Sequence, residues 1–232
     1  MFENFKKLLY AHVFCILQPA YLPMLKTIEI SHQYSGSQRF EFPDIICNSA
    51  ETLLVLGNSG VGKTTLLHIL AGILKPLNGE VIINNTSLYQ LSGNNLDKFR
   101  GQNIGLVFQK PHFVQSISAE ENLLLTQKMA GHSPNRNETS ALLDALDIAK
   151  RRKAKTHQMS QGEQQRLSIA RALINKPKVI LADEPTSALD DNNCEEALKL
   201  LSYHANEVNA SLIVVTHDNR LKNLFSNQVK LK

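Results

Sequence analysis

The sequence predicts an α/β fold with a mostly helical insertion in its middle. Short apolar runs occur at residues 52–56, 179–182 and 212–215, and the last two are typical of buried parallel strands. A glycine-rich segment joins the first of these runs to a helical pattern that begins at residue 64. Between residue 119 and about residue 173 the pattern is mainly helical, which indicates an insertion between the strands of the sheet.

The other predicted elements lie before and between these runs. Residues 25–30 and 39–47 are strand candidates, and Pro43 favours an edge position for the second, because proline cannot donate a ladder hydrogen bond. Further along the chain we predict strands at residues 81–83 and 104–108, a polar loop at 132–137 and a helix at 192–208.

The composition is that of an ordinary soluble globular protein, with 43% hydrophobic and 20% charged residues in a chain of 232. The net charge of +4 suits anionic partners such as nucleotides or lipid headgroups, but it does not require nucleic acid. The three cysteines, Cys15, Cys47 and Cys194, are far apart and lack metal or redox spacing. They indicate a reduced cytosolic compartment.

Residues 1–23 are an N-terminal extension that we leave out of the functional argument. Their apolar stretch at 8–17 contains His12 and is shorter than the ~20 residues that a membrane span needs. The segment faintly resembles a secretory signal, but no small-residue cleavage site follows it. If Met24 is the natural start, these residues are an upstream extension or a short membrane-surface appendage.

The glycine-rich segment fits the phosphate-loop pattern G-x-x-x-x-G-K-[ST]. Its residues are Gly57, Asn58, Ser59, Gly60, Val61, Gly62, Lys63 and Thr64, followed by Thr65. Glycines let successive backbone N–H groups point inward as an anion nest, and the following helix adds its positive N-terminal end. We expect Lys63 to reach the β- and γ-phosphates and Thr64 to ligate Mg²⁺. Because a strand precedes the segment and a helix follows it, we predict binding of ATP or GTP rather than a chance glycine-rich turn.

A second motif ends the apolar run at residues 179–182 with two acids, Asp183 and Glu184. Ligands bind at the carboxyl ends of the strands in open α/β sheets, which is where these carboxylates would lie. Alone, such a pair is more often a solvated turn. Beside a phosphate loop, we predict that Asp183 holds Mg²⁺ and that Glu184 orients or deprotonates the attacking water.

A third motif starts a helical stretch at residues 167–174 and contains Ser160 and Gly162. A serine and a glycine at a helix start offer an anion site, although by themselves they usually form only a cap. The motif is informative because it lies shortly before the acidic strand.

Together the three motifs resemble the nucleotide-binding subunits of ATP-binding cassette (ABC) transporters. The resemblance implies a phosphate-loop NTPase core with an N-terminal antiparallel β subdomain and an inserted helical subdomain. We therefore predict a cassette domain at residues 24–232, with the helical insertion at roughly 112–172. The family signature is Leu-Ser-Gly-Gly-Gln, and this chain departs from it at Met159, Gln161 and Glu163 while it retains Ser160 and Gly162.

The resemblance also assigns roles to four further residues. Tyr34 matches the aromatic residue that stacks on adenine, although an ordinary exposed tyrosine is the simpler alternative. Gln109 matches the glutamine that senses Mg²⁺ and the γ-phosphate and begins the loop facing the membrane partner. Asp190, in the segment Ser187-Ala188-Leu189-Asp190, matches a contact to the second subunit, and His217 matches the histidine that contacts the γ-phosphate.

The resemblance implies a dimer that sandwiches two ATP molecules, each between Lys63 of one subunit and Ser160 of the other. The second subunit is another copy of the chain or a paralogue, and a separate permease subunit holds both at the cytoplasmic face of the membrane. The chain looks most similar to the lipoprotein-releasing and macrolide-export branch, which indicates an exporter, although that branch often has Gly-Asn in place of Ser187-Ala188. The alternatives are a soluble ABC ATPase acting on ribosomes or DNA and a catalytically silent cassette.

A basic run at residues 150–153 precedes the signature. We interpret it as a solvated helix end. Contact with lipid headgroups or a partner protein is the other interpretation.

Overall fold

The computed structural model describes residues 23–36, 38–185, 191–218, 221–222 and 225–231. Their strands form two five-stranded sheets. The first is antiparallel, with the path β2-β1-β5-β6 and with β3 also pairing with β1. Its strands are β1 (Leu25–Gln33), β2 (Arg39–Glu41), β3 (Ile46–Cys47), β5 (Asn78–Ile83) and β6 (Thr86–Ser87).

The second sheet is parallel throughout, in the order β10-β4-β9-β8-β7. Its strands are β4 (Thr52–Leu56), β7 (Ile104–Val107), β8 (Val179–Asp183), β9 (Ser211–Thr216) and β10 (Asn227–Lys230). Because all five run in the same direction, their carboxyl ends meet along one edge of the sheet.

Six described helices surround the parallel sheet. They are α1 (Lys63–Leu70), α2 (Gly93–Asn103), α3 (Ala119–Met129), α4 (Arg136–Ala145), α5 (Gln161–Leu173) and α6 (Asp191–Glu207). Short 3-10 turns occupy Leu88–Gln90, Ala149–Arg151 and Thr156–Gln158. In the described part of the chain, no helix combines the length and the apolar character that a membrane crossing requires.

The core lies on both faces of the parallel sheet, because successive side chains along a strand point to opposite faces. Along β8, Ile180 and Ala182 belong to a buried cluster with side chains of α3, α5 and α6. Val179 and Leu181, which alternate with them, belong to a second buried cluster with α1 and the antiparallel sheet. All five residues of β8 are buried, which explains the uninterrupted apolar run in the sequence.

Several predicted elements needed correction. The single strand expected at residues 39–47 is two short strands, β2 and β3, and Pro43 lies between them where no ladder bond is needed. The loop expected at residues 132–137 is shorter, because Asn135 caps α4 with its side chain and the helix begins at Arg136. Helix α2 and strand β10 were not predicted.

Candidate nucleotide site

The phosphate loop connects the end of β4 at Leu56 to the start of α1 at Lys63. Gly60 and Gly62 adopt left-handed φ angles of 85° and 91°, a conformation that costs glycine little. A Cβ on Gly62 would also stand 2.8 Å from the Phe40 ring. The loop therefore requires glycine at position 62, both for its backbone turn and for its contact with the antiparallel sheet.

Lys63 is buried within the curl of this loop. Its Nζ donates to the backbone oxygens of Gly57 at 2.9 Å and Asn58 at 3.0 Å. The same nitrogen lies 3.6 Å from a carboxylate oxygen of Glu184. The ammonium group is thus fixed between the phosphate loop and the end of β8.

Glu184 and His217 meet where β8 and β9 end. The backbone N–H of His217 donates to Glu184 Oε1 at 3.0 Å, and His217 Nδ1 lies 2.7 Å from the same oxygen. The Thr216 hydroxyl donates to Oε2 at 2.9 Å. Glu184 also has a left-handed φ of 45°, and such backbone strain in a non-glycine residue is often found at functional sites.

Asp183 and Thr64, two of the residues predicted to hold Mg²⁺, are in direct contact. The Thr64 hydroxyl donates to Asp183 Oδ2 at 3.0 Å. Asp183 Oδ1 is buried and has no hydrogen-bond partner within the described residues. Burial raises the pKa of Asp183, an effect that the hydrogen bond from Thr64 opposes. A hydroxyl beside a carboxylate with one oxygen to spare is a donor set that suits Mg²⁺, so these residues fit the ion.

Tyr34 lies beside α1, with its ring exposed. Its hydroxyl shares a hydrogen bond of 3.2 Å with the hydroxyl of Thr65. The His32 ring contacts it edge-on at a centroid distance of 4.7 Å, and Phe40 does the same at 6.3 Å. Sequence reasoning missed Phe40, which contacts both Tyr34 and the Gly62 turn, because the signal is a contact between separate strands and loops.

Three predicted residues, Gln109, Ser160 and Gly162, lie away from the phosphate loop. Gln109 is exposed just beyond β7, the strand next to β8 in the sheet order. Ser160 is the N-cap of α5, where its hydroxyl accepts from the backbone N–H of Glu163 at 3.3 Å. The described contacts of Ser160 include no residue of the phosphate loop. Gly162 follows on the exposed first turn of α5, and a Cβ there would meet no atom within 4 Å.

The predicted contact at Asp190, with the rest of its segment 187–190, lies outside the described residues, as does most of the extension at 1–23. The basic run forms part of a 3-10 turn, and two of its members are paired. Arg151 bonds Glu163 at 2.7 Å, and Arg152 lies 3.7 Å from Glu120. The side chains of Arg151 and Arg152 are still 47% and 40% exposed, so the expected solvated end of the element holds, with two carboxylate contacts that the sequence did not predict.

Arg171 is a second residue that the sequence did not single out. It extends from α5 to the segment that follows Gln109, where its guanidinium donates to the backbone oxygen of His112. The same group lies 5.0 Å from the centroid of the Phe113 ring. Burial lowers the pKa of Arg171. The helix that begins at the signature is thus tied to the segment after Gln109.

A glycine-rich loop whose lysine begins a helix, with two acids and a histidine at the ends of adjacent parallel strands, defines a phosphate-loop nucleoside triphosphatase. The family model described as ABC transporter matches residues 43–187. This match covers more than half of the chain. The chain therefore belongs to the ABC transporter family. It is the ATP-binding subunit of a transporter, and it hydrolyses ATP.

Individual relatives narrow the comparison. The lipoprotein-releasing system ATP-binding protein LolD of Colwellia psychrerythraea is 37% identical over 190 residues, which cover 81% of this chain and 74% of LolD. The LolD of Idiomarina loihiensis is 38% identical over 200 residues, 84% of this chain and 88% of that protein. Among solved structures, the dimeric post-hydrolysis state of the ATP-binding cassette MJ0796 bound to ADP and Pi matches with a TM-score of 0.79 and 32% identity, over 90% of this chain and 94% of that one.

Proposed function

We propose that this chain dimerises around two ATP molecules and drives a separate permease subunit of an exporter. One observation carries the proposal. The phosphate loop, Asp183, Glu184 and His217 are together on one chain, while Ser160 and Gly162 are exposed and make no described contact with that loop. A second subunit would bring its Ser160 and Gly162 to the first subunit's phosphate loop.

The positions of the site residues support the following proposed roles. Lys63 neutralises charge on the phosphates, and Glu184 aligns or deprotonates the attacking water while His217 holds the γ-phosphate. Thr64 and Asp183 would hold Mg²⁺, and Gln109 would approach it from the neighbouring strand. When bound there, Mg²⁺ would supply positive charge that offsets the negative charge of the phosphates. Tyr34 supplies a flat aromatic face for adenine, beside the helix that follows the phosphate loop.

The hydrogen bonds around Glu184 disfavour a catalytically silent cassette. Its carboxylate is held by Thr216 and His217 and faces Lys63. A general base needs such fixed orientation within reach of the nucleophile.

The permease partner is supported by a groove of about 430 Å³ next to the segment that follows Gln109. Its lining includes Phe108, Met129 and Arg171, and Met129 is 78% exposed. An apolar groove rimmed by polar groups is typical of a protein-binding surface. The similarity to LolD proteins extends the proposal to the cytoplasmic face of a membrane and to a machine that releases lipoproteins. The similarity to lipoprotein-releasing system ATP-binding proteins also favours a transporter over the soluble alternative that acts on ribosomes or DNA.

Glu184→Gln tests the proposal directly. The substitution keeps the size and most hydrogen bonds of the side chain but removes its ability to take a proton. We expect ATP binding to persist, an ATP-dependent dimer to accumulate in size-exclusion chromatography with light scattering, and phosphate release to fall at least about 100-fold. Glu41→Gln, at an exposed carboxylate of β2, is the matched control and should behave like the unchanged protein. Full turnover by Glu184→Gln would refute the assignment.

A second experiment tests the partner. The chain is purified from native membranes under mild detergent, and the proteins that remain attached are identified. Recovery with a membrane-spanning subunit supports the proposal, and recovery with ribosomes would favour the soluble alternative.

A further inference from the structure

The signature of this chain carries a negative charge that the family pattern lacks. Position 163 is glutamate where the motif has glutamine, and it lies in the first turn of α5. The Glu163 carboxylate accepts a hydrogen bond from the backbone N–H of Ser160 at 2.7 Å. The backbone N–H of Glu163 donates to the Ser160 hydroxyl at 3.3 Å. This reciprocal capping box fixes Ser160 at the helix start.

The charge is a disadvantage in the proposed dimer. A helix N-terminus attracts anions through its free N–H groups and its dipole, but a carboxylate beside it repels them. In that dimer, α5 has to approach the triphosphate bound by the other subunit. Glutamine could accept the same capping hydrogen bond and carries no charge. The cap therefore does not require a glutamate, and the negative charge of Glu163 must be balanced by another group.

Arg151 supplies the balancing charge. Its Nε donates to Glu163 Oε1 at 2.7 Å, while the other carboxylate oxygen stays on the Ser160 N–H. The hydrogen bond from Arg151, followed by that from the Ser160 backbone, lowers the pKa of Glu163. The 3-10 turn Ala149–Arg151 that carries the guanidinium is separate from α5, so this contact joins two elements.

We propose that Arg151 is a positioning residue for the second half of the ATP site. It neutralises Glu163 and holds the carboxylate on the Ser160 cap, so that Ser160 and the start of α5 can approach the triphosphate on the other subunit. This inference rests on the proposed dimerisation around ATP.

The alternative is an ordinary surface ion pair. Such pairs contribute little to folding stability, because water screens the charges and two long side chains are ordered. Both interpretations therefore predict a thermal midpoint within about 2 °C of the reference for Arg151→Ala. They differ in what they predict for ATP-driven association.

The test measures the ATP concentration at half-maximal dimerisation in the Glu184→Gln background, which keeps ATP intact. Arg151→Ala should raise this concentration about 3- to 10-fold, since it exposes a carboxylate close to a multiply charged phosphate chain. The loss should shrink in 0.5 M NaCl, where the Debye length is only about 4–5 Å. Lys150→Ala removes the same charge from the same turn but from a side chain with no described bond to the signature, so it should leave the concentration within about twofold.

The decisive comparison adds Glu163→Gln. With the carboxylate gone, Arg151→Ala should have almost no further effect, and Arg151→Lys in the Glu163 background should recover part of the loss. If Arg151→Ala raises the ATP concentration at half-maximal dimerisation equally with and without Glu163→Gln, or does not raise it at all, the proposed role of Arg151 is overturned. The proposed dimerisation around ATP would still stand. If the Glu184→Gln reference itself fails to dimerise with ATP, the proposed function fails and this inference fails with it.

Discussion

Gly105 is a position at which β7 and α5 approach each other closely. A Cβ built there would lie 2.4 Å from the backbone oxygen of Ala172 and 3.2 Å from a ring carbon of Pro177. Real Cβ contacts essentially never fall below 3.0 Å. Gly105→Ala therefore forces strand and helix at least 0.6 Å apart at a buried contact between two backbones, where no side chain can rotate away.

We expect Gly105→Ala to lower the free energy of unfolding by about 2–3 kcal/mol, the usual cost of overpacking a dense core. For a domain of this size the thermal midpoint should fall by about 4–12 °C. Urea titration followed by circular dichroism gives the free energy, and a differential scan gives the midpoint. The slope of the urea transition should not change, since the same surface is exposed on unfolding.

Gly162→Ala is the matched control for stability. It makes the same chemical change on α5 itself, but a Cβ there would meet no atom within 4 Å. We expect a gain of at most about 0.5–1 kcal/mol from helix propensity. If Gly105→Ala lies within about 0.5 kcal/mol of the unchanged protein, α5 is not held against β7 as described, and the reasoning is wrong.

Two further predictions concern the core. Burial raises the pKa of Cys47 to about 12. Its thiol should therefore stay protonated and resist iodoacetamide at pH 8 in the folded protein, but it should react in urea. Site-resolved mass spectrometry measures the labelling. The same pKa shift contributes stability that is fully present below the pKa of the thiol in the unfolded chain and is lost as the pH rises towards 12. Rapid labelling of Cys47 in the native protein would contradict its burial. Leu123→Ala should lower the free energy of unfolding, measured by urea titration, by about 2–5 kcal/mol, because Leu123 is fully buried between α3 and its neighbours. Met129→Ala changes an exposed position on the same helix and should lower it by less than about 1 kcal/mol.

The elements that the sequence predicts well are those whose pattern has a local cause. Strands β8 and β9 are buried on both faces, so each must be apolar at nearly every position, and this leaves an unbroken run in the sequence. The phosphate loop is equally local, because the chemistry of the nest fixes glycine and lysine at set spacings.

The missed elements have no such local cause. Helix α2 contains no fully buried residue, and its two apolar side chains, Leu96 and Phe99, are too few for a helical period to be detected. Strand β10 reads Asn-Gln-Val-Lys, so Val229 is its one apolar side chain in contact with the core, and the ladder with β4 places the strand in the sheet. The pairing of Arg151 with Glu163 likewise depends on how a separate turn packs against α5, which no spacing in the sequence encodes.

Helix α5 connects the signature, strand β7 and the segment that follows Gln109. Its first turn carries the Ser160 cap, its last turns pack against β7 at Gly105, and Arg171 holds the segment after Gln109. A helix is stiff along its axis, so a displacement of the segment after Gln109 can reach Ser160 without a chain of side-chain rearrangements. In the proposed dimer, this would let a permease seated in the groove influence whether the signature closes on ATP. Coupling of this kind must act in both directions, so ATP-driven closure should also change how tightly the permease is held.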